Sequence, residues 1–561
     1  LINKIADIFE KIADILEIKN DNQFKIRAYL RAAQSLRNLS GDIEEMANEG
    51  RLEEIPGIGK DLAEKIAEYL KDGNIKHYDE LARTIPSGVL EMLHIPGVGP
   101  KTVKLFYEKL NIKSMKQLEK MARSHKLGEL PGVKEKTEQN ILRGINLLKE
   151  ARGQILLDKA LIIADSMVKY LKKSKAVKKI EIAGSLRRMK EVVHDIDILV
   201  ISKKPGQVME QFVKYPEMEE ILAKGETKSS ILLDSGAQVD LRVVDEDCFG
   251  AALLHFTGSK DHNVQLRSIA KSRGIKLNEY NKFSTEKKVY KTLGLNFIPP
   301  ELREASGEVE YALKNKFPKL IEPGDIKCDV HCHSTYSDGY NSMEEMALAA
   351  KKSGYSHLVV TDHSQSLRVA NGLPIERLMK QIDEVKKLNK RLSNFTLFSG
   401  SEVDVDRDGN LDYPDEILAK LDFVIAAVHS GFKGTKEQMT RRAVRALSNK
   451  YVHSLAHPTG RLIGEREPYQ VDFTAVLKTA RENNKFLEIN TYPKRLDLDS
   501  REARHAKEAG VMIALGSDSH RAEQLPNIKL GVAVGRRGWL EKKDVLNTLS
   551  VAQFKKRIKR K

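Results

Sequence analysis

Seven short apolar runs between residues 328 and 520 end in residue types that bind metal ions: CDVHCH (328–333), HLVVTDH (357–363), LFSGSE (397–402), FVIAAVH (423–429), VHSLAH (452–457), FLEIN (486–490) and MIALGSDSH (512–520). Six deliver His, Asp or Glu at the carboxyl end of a predicted strand, and the run 486–490 delivers Glu488 and Asn490. Imidazole and carboxylate donors suit Zn2+, Mn2+ or Fe2+ better than Mg2+. Clustered cations lower the pKa of a bound water and clamp a phosphodiester, so the expected chemistry is hydrolysis of a phosphate ester by a metal-bound hydroxide. Arg461 and Lys433 are candidates to hold the scissile phosphate, with a surface role as the other reading. Glu488 and Asn490 read as outer partners of the donors, and His357, His453 and His505 as structural.

A second, unrelated set of carboxylates lies further forward. In AGSLRRMKEVVHDIDILV (183–200), Asp195-Ile-Asp197 begins ten residues after Ser185. Alternation along a strand puts Asp195 and Asp197 on one face. Asp240, in VDLRVV, lies on another predicted strand. Three such carboxylates suit two divalent ions, Mg2+ or Mn2+, one activating a 3′-hydroxyl and the other neutralising a triphosphate and its leaving pyrophosphate. Gly184, Ser185 and Arg188 are placed to cradle the phosphates. A lone DxD is common and mostly structural; the GS pair, the fixed gap and the distal aspartate carry the specificity.

The elements that must position these residues follow from periodicity. The metal-donor runs predict a parallel, barrel-like sheet with its donors at the open end. Residues 1–150 read as helix, and 151–255 as a mixed α/β region: a helix over 155–172, then strands in KKIEIAG, IDILVIS, SSILLDSG and AQVDLRVV. Residues 256–315 read as helix and turn, and FPKLIEPGDIKCD (317–329) as a linker. The helical front holds a repeat: EIPGIGKDLAEKI (54–66), HIPGVGPKTVKLF (94–106) and a weaker ELPGVKEKTEQNI (129–141). Gly57, Gly59, Gly97 and Gly99 allow tight turns that aim backbone N–H groups and the helix dipole at a phosphate, with Lys60 and Lys101 beside them. No base edge is read, so binding is expected to be independent of sequence. In the third copy Lys134 replaces the second glycine, which leaves its phosphate contact open.

Composition agrees with a polyanionic partner: 95 Lys and Arg stand against 79 Asp and Glu, a formal net charge of +16. No apolar run reaches the length of a membrane span and no signal peptide precedes the first helix. Cys248, Cys328 and Cys332 form neither a disulfide framework nor a CxxC pair, which fits a reducing, cytoplasmic setting. The tail KKRIKRK (555–561) reads as a solvated end.

These motifs carry resemblances over nearly the whole chain. The repeats resemble helix-hairpin-helix motifs, and the first copy resembles the amino-terminal lyase domain of DNA polymerase β. Lys65 falls where that family carries a Schiff-base lysine, but Asp61 replaces a lysine often found four residues earlier; a phosphate-binding or solvated Lys65 is the other reading. The GS–DxD–Asp240 pattern resembles the nucleotidyltransferase superfamily, with the spacing of family X DNA polymerases. HFTGSKDHNVQLR (255–267) resembles that family's nucleotide-binding segment, with Phe256, Gly258, Asn263 and Arg267 in register. His255 stands in place of a Tyr and Lys260 in place of an Asp of polymerase β; Thr257 or Ser259 as a plain helix cap is the alternative for this segment.

The runs HCHSTYSDG, TDHS, GSEVD, AAVHSG, LAHPTG and GSDSH resemble the polymerase-and-histidinol-phosphatase (PHP) domain. That resemblance implies nine ligands: His331, His333, Glu402 and Asp518 around one metal, Glu402, His429 and His457 around a second with Glu402 as bridge, and Asp338, His363 and His520 around a third. Up to three Mn2+, Zn2+ or Fe2+ ions would sit there.

The implied fold class is multidomain α+β and α/β: a lyase-like helical domain (1–85), a helix-hairpin-helix, fingers-like domain (86–150), a nucleotidyltransferase palm (151–255), a thumb-like region (256–316), a linker (317–328) and a distorted (β/α)7-type PHP barrel (329–561). The implied function is a monomeric DNA polymerase that binds gapped or nicked DNA and deoxynucleoside triphosphates, with Asp240 as base or base-assisting carboxylate and Asp195 and Asp197 bridging the metals. The barrel would remove nucleotides from a 3′ end, with abasic-site cutting as a further possibility. The alternatives are a nuclease that uses its polymerase half to target DNA, and a small-molecule phosphoesterase.

Overall fold

The computed structural model describes residues 2–37, 43–95, 97–151, 153–314 and 317–560; Pro96 of the second repeat, residues 315–316 of the thumb-like segment and Lys561 of the tail lie outside them. The chain divides into two compact units, one formed by residues up to 152 and the other by nearly all of the remainder.

The first unit is helical. Helix Ile2–Ile18 carries Ile5, Phe9, Ile12 and Leu16 at helical spacing, and this stripe buries against Ile26, Tyr29, Ala33 and Leu36 of helix Gln23–Arg37. Phe9 meets Tyr29 edge-on at 5.5 Å between ring centroids. The repeats open helices Lys60–Asp72, Pro100–Leu110 and Glu135–Ala151. Gly57, Gly97 and Gly132 all adopt left-handed φ, between +81° and +83°, so the third copy makes the same turn as the other two.

The second unit contains two large sheets. Its palm strands are β1 (Ile155–Leu156), β2 (Lys179–Ile182), β3 (Val192–Val193), β4 (Asp195–Ile201), β5 (Met218–Lys224), β6 (Lys228–Leu233) and β7 (Gln238–Val244). β1 and β3 form a short antiparallel ribbon, and the other five form a sheet in the order β2-β4-β7-β6-β5, in which only β4 and β7 run parallel. Helix Leu157–Leu171 packs Ala160, Ala164 and Met167 into this core. β5 is absent from the sequence expectation: MEEILAK is an exposed edge strand with register shifts against β6, so it lacks apolar alternation. Helices Phe249–Thr257, Lys260–Ser272, Glu286–Thr292 and Glu308–Leu313 follow, around Leu266, Tyr290, Ile298 and Leu302.

The barrel strands are β8 (Cys328–Asp329), β9 (His357–Val360), β10 (Thr396–Asp404), β11 (Phe423–Ala427), β12 (Ser454–Leu455), β13 (Phe486–Asn490) and β14 (Ile513–Gly516), paired in sequence order and all parallel. A parallel bridge from Cys332 to Ser519, just past β8 and β14, brings the ends together into a nearly closed barrel. Helices between the strands cover the outside, as parallel strands require. Two expectations change here. The linker is docked: Ile321 N–H donates to Leu540 O at 2.9 Å, and Ile321 and Ile326 are buried. The basic tail is also not a solvated end, because helix Val551–Ile558 buries Phe554 against Phe398 and Phe423, and Arg560 donates to the carbonyls of Leu418, Ala419 and Leu421. In both segments a few apolar anchors outweigh a polar composition.

Among the described residues no helix is long and apolar enough to cross a membrane, and all three cysteines are free.

Candidate functional site

The palm aspartates are set by strand register. Asp197 pairs with Asp240 across the parallel β4–β7 ladder, and Asp195 shares the face of Asp197 two residues before it. Gly184 follows β2 with φ of +63°, and a β-carbon there would lie 2.3 Å from Asp197 Oδ2, so the turn leans on the carboxylate. Burial, with Asp195 and Asp240 alongside, pushes the Asp197 carboxyl up to about 7. A crowd of carboxylates that resists ionising is a place where cations are favoured. Asp240 Oδ1 accepts from Gln238 Nε2 at 2.9 Å.

The residues after Ser185 are already engaged. Arg187 makes a two-point ion pair with Glu286 (2.9 and 2.7 Å) and donates to Thr257 Oγ1 at 2.6 Å, while Arg188 pairs with Glu304 at 2.9 Å and donates to the Thr257 carbonyl. In the thumb-like segment, Asn263 Nδ2 donates to the His255 carbonyl at 2.8 Å, and Arg267 lies 3.0 Å from His255 Nδ1. Arg242 stacks 4.4 Å over the Phe256 ring. Ser259 caps helix Lys260–Ser272, so Lys260 stands at its first turn, and Gly258 turns the chain at φ +68°.

The candidate metal donors converge at the carboxyl ends of the barrel strands. His331, His333 and Asp518 bring ligand atoms within 4.8 Å of one another; so do His363, Glu402 and His429; and so do His333, Asp338, His363 and His520. Glu402 is central. Its Oε1 faces His457 (2.9 Å) and His429 (3.3 Å), and its Oε2 faces His363 (2.9 Å), His331 (3.5 Å) and His333 (3.8 Å). The two oxygens thus face different histidines, and a carboxylate so placed would suit a position between two ions. The grouping differs from that implied by resemblance: His333 and His363 each border two groups, Glu402 groups with His363 and His429 rather than with His331, His333 and Asp518, and His457 joins through its contact with Glu402 alone.

The donor set fits divalent metal ions. His331 Nε2 and Glu402 Oε2 are buried and make no hydrogen bond. Such atoms are costly unless a cation takes their lone pairs. Burial, with His363 and His520 beside it, pushes His333 down to about 3, which keeps it a neutral donor. Against burial, Glu402 and Asp404 hold His429 up to about 10.

A second layer orients these groups. His331 Nδ1–H donates to Glu488 Oε1 at 2.6 Å, and Glu488 Oε2 accepts from the His457 backbone at 2.7 Å. Asn490 Nδ2 donates to Asp518 Oδ2 at 3.1 Å, and His429 Nδ1–H to Asp404 Oδ1 at 3.0 Å. Asp404 went unrecognised in the sequence, although its place two residues after Glu402 on a strand was the available signal. Arg461, a candidate phosphate holder or surface residue by sequence, donates to Glu191 Oε2 (2.9 Å) and the Arg495 carbonyl (2.7 Å), tying a barrel loop to the palm. Lys433 is exposed after β11. His357 packs against Phe398 and Phe554, His453 accepts from the Val424 backbone, and His505 is exposed.

In the helical unit, Gly59 and Gly99 are the N-caps of their helices, and β-carbons at Gly59, Gly97 or Gly99 would meet open space, so a phosphate has room to approach. A β-carbon at Gly57 would instead stand 3.0 Å from the Arg31 side chain. Lys60 and Lys101 are exposed; Lys65 is largely buried and pairs with Asp61 Oδ1 at 2.6 Å, so attack on an aldehyde requires leaving that partner.

These features define a class: helix-hairpin-helix modules and a nucleotidyltransferase palm joined to a metal-donor PHP barrel. Comparison with known proteins agrees. Family models match at residues 3–75 (helix-hairpin-helix domain), 89–146 (SAM-like helix-hairpin-helix tandem), 252–304 (DNA polymerase beta thumb) and 329–492 (PHP domain). The chain is 38% identical, over 99% of its own length and 99% of the relative's, to the "DNA polymerase/3'-5' exonuclease PolX" of Bacillus subtilis (strain 168). It therefore belongs to the PolX family, the family X DNA polymerases that carry a PHP domain. The chain is also similar to a probable phosphatase of Thermoanaerobacter sp. (strain X514), 32% identical over 42% of this chain and 94% of the relative.

Proposed function

We propose that this chain is a DNA-directed DNA polymerase that fills short gaps during repair, and that its barrel removes nucleotides from 3′ ends, with cutting at abasic sites as a further use of the same centre. The observation that carries the proposal is the pairing of Asp197 with Asp240 beneath the Gly184 turn, on the same packed body as the Glu402-centred donor cluster.

The residues divide the work. The turns at Gly57–Lys60 and Gly97–Lys101 present backbone N–H groups to the DNA phosphates. Gly184, Ser185 and Arg188 receive the triphosphate, while Phe256, Gly258 and Asn263 shape the floor beside the incoming nucleotide. Asp240 assists removal of the 3′-hydroxyl proton, and Asp195 and Asp197 orient the reacting groups. Asp195, Asp197 and Asp240 would hold Mg2+ or Mn2+, and the nine barrel donors would hold up to three Mn2+, Zn2+ or Fe2+ ions. When bound, these ions supply charge neutralisation and Lewis-acid activation. Glu488, Asn490 and Asp404 fix the orientation of the donors. Lys65 remains a candidate lyase nucleophile once parted from Asp61. The partners are gapped or nicked DNA and deoxynucleoside triphosphates, met by a cytoplasmic monomer.

The test uses a 5′-labelled primer on single-nucleotide-gapped DNA with Mn2+, with and without deoxynucleotides. A longer primer with nucleotides and a shorter one without them is expected. Shortening alone would favour a nuclease that uses its polymerase half for targeting; no change in either lane would favour a small-molecule phosphoesterase. Asp240→Ala should abolish extension and spare shortening, and normal extension by that variant would refute the assigned polymerase centre.

A further inference from the structure

Arg537 ends the barrel helix Ile528–Arg537, yet its guanidinium serves the palm. Nη1 donates to the Arg188 carbonyl at 3.0 Å and to Glu304 Oε1 at 3.1 Å. Arg188 Nε donates to the same Glu304 oxygen at 2.9 Å. All three side chains are largely withdrawn from water: Arg537 is 8% exposed, Arg188 13% and Glu304 24%. Burial pushes the Glu304 carboxyl up, but Arg188 and Arg537, with Lys190 nearby, outweigh it and keep it below its usual range.

This arrangement poses a problem that Arg537 solves. Arg188 is the arginine of the phosphate-cradling turn, but here it is committed to Glu304 and to the Thr257 carbonyl. Turning to a triphosphate would strip Glu304 of its partner, and a largely buried carboxylate left unpaired is costly. A second guanidinium already on the same oxygen removes most of that cost. It also pins the Arg188 backbone, so that only the side chain needs to move.

We propose that Arg537 is a positioning residue for the polymerase centre: it holds Glu304 while Arg188 turns to the incoming triphosphate, so a barrel residue sets the nucleotide affinity of the palm. The proposal rests on the polymerase reading above. Its mechanism is an exchange of ion-pair partners, with no covalent step.

The experiment is steady-state gap filling by the full-length chain, titrating deoxynucleotide. Arg537→Gln should raise KM for the nucleotide roughly tenfold, the loss of one charge-assisted bond, with kcat within about twofold. Shortening of a primer without nucleotides should be unchanged, and Arg537→Lys should recover most of the affinity. The decisive arm is Arg537→Gln combined with Glu304→Gln: a neutral side chain needs no cation, so KM should return toward wild type. An unchanged KM in Arg537→Gln, or a double variant as impaired as the single one, would overturn the proposal. So would a parallel fall in kcat, primer shortening and melting temperature, which would make Arg537 a plain interdomain tie. Wild-type protein that fails to extend the primer would sink the polymerase reading instead, which keeps the two failures distinct.

Discussion

Gly184 lies directly against Asp197: a β-carbon on the glycine would stand 2.3 Å from the aspartate Oδ2, and the glycine holds φ at +63°. Turn and carboxylate are therefore one unit. The turn can approach so closely only because it has no side chain, and the approach brings the backbone around Ser185 to the aspartate face.

Gly184→Ala should separate the two activities. Both the left-handed backbone and the overlap with Asp197 oppose a methyl group, and displacement by about 1 Å is enough to cost on the order of a hundredfold in a positioned reaction. Primer extension should fall by at least that much while primer shortening by the barrel stays within about twofold. Extension at near wild-type rate would show that the turn does not govern the palm centre.

Glu488 holds two donors at once, the His331 ring and the His457 backbone. Glu488→Gln should weaken Mn2+ binding by the barrel by roughly ten- to a hundredfold, the usual effect of losing an orienting partner. Asp404→Asn, acting on His429, should fall in the same range. Calorimetric titration of Mn2+ checks both; unaltered affinity would remove these residues from the site.

Divalent metal should stabilise the barrel, because His331 Nε2 and Glu402 Oε2 are buried without hydrogen bonds. Mn2+ at about a hundred times its dissociation constant should add about 3 kcal/mol, seen as a higher melting temperature that chelation reverses. Glu402→Ala should lose most of the shift, since that carboxylate faces both sides of the cluster. A Mn2+-insensitive wild-type melt would contradict the assigned donor set.

Glu286 predicts an acid limb in stability. Burial alone would raise its carboxyl, but Arg187 and Arg303 hold it down at about 2 from an ordinary 4.5. A depressed carboxylate contributes stability in full above its unfolded value and loses it as pH falls through the folded one. The contribution, about 3 kcal/mol at neutral pH, should therefore drain between pH 4.5 and 2. Glu286→Gln should melt well below wild type at pH 7, and the gap should narrow as pH drops through that window. A gap independent of pH would locate the stability elsewhere.

What the sequence determined by itself was local and periodic. That His331, His333, His363, Glu402, His429, His457, Asp518 and His520 gather at one end was legible because a parallel strand delivers its last residues to one end of a barrel. Asp195 and Asp197 were legible because alternation has a period of two, and the repeated glycines because a left-handed turn admits little else.

Only the tertiary structure could decide contacts between groups far apart in the chain. Asp197 faces Asp240 through the register of a parallel ladder, which no local pattern encodes. Arg187 meets Glu286 ninety-nine residues away, and Arg188 and Arg537, 349 residues apart, converge on Glu304. Arg461 read equally as a phosphate ligand or a surface residue, and only the fold brought Glu191 to it. The edge strand at Met218–Lys224 and the docked tail escaped for a related reason: neighbours, not composition, supply their partners. Residue chemistry limits what a group can do, but the packing of distant segments selects the partner that it does it with.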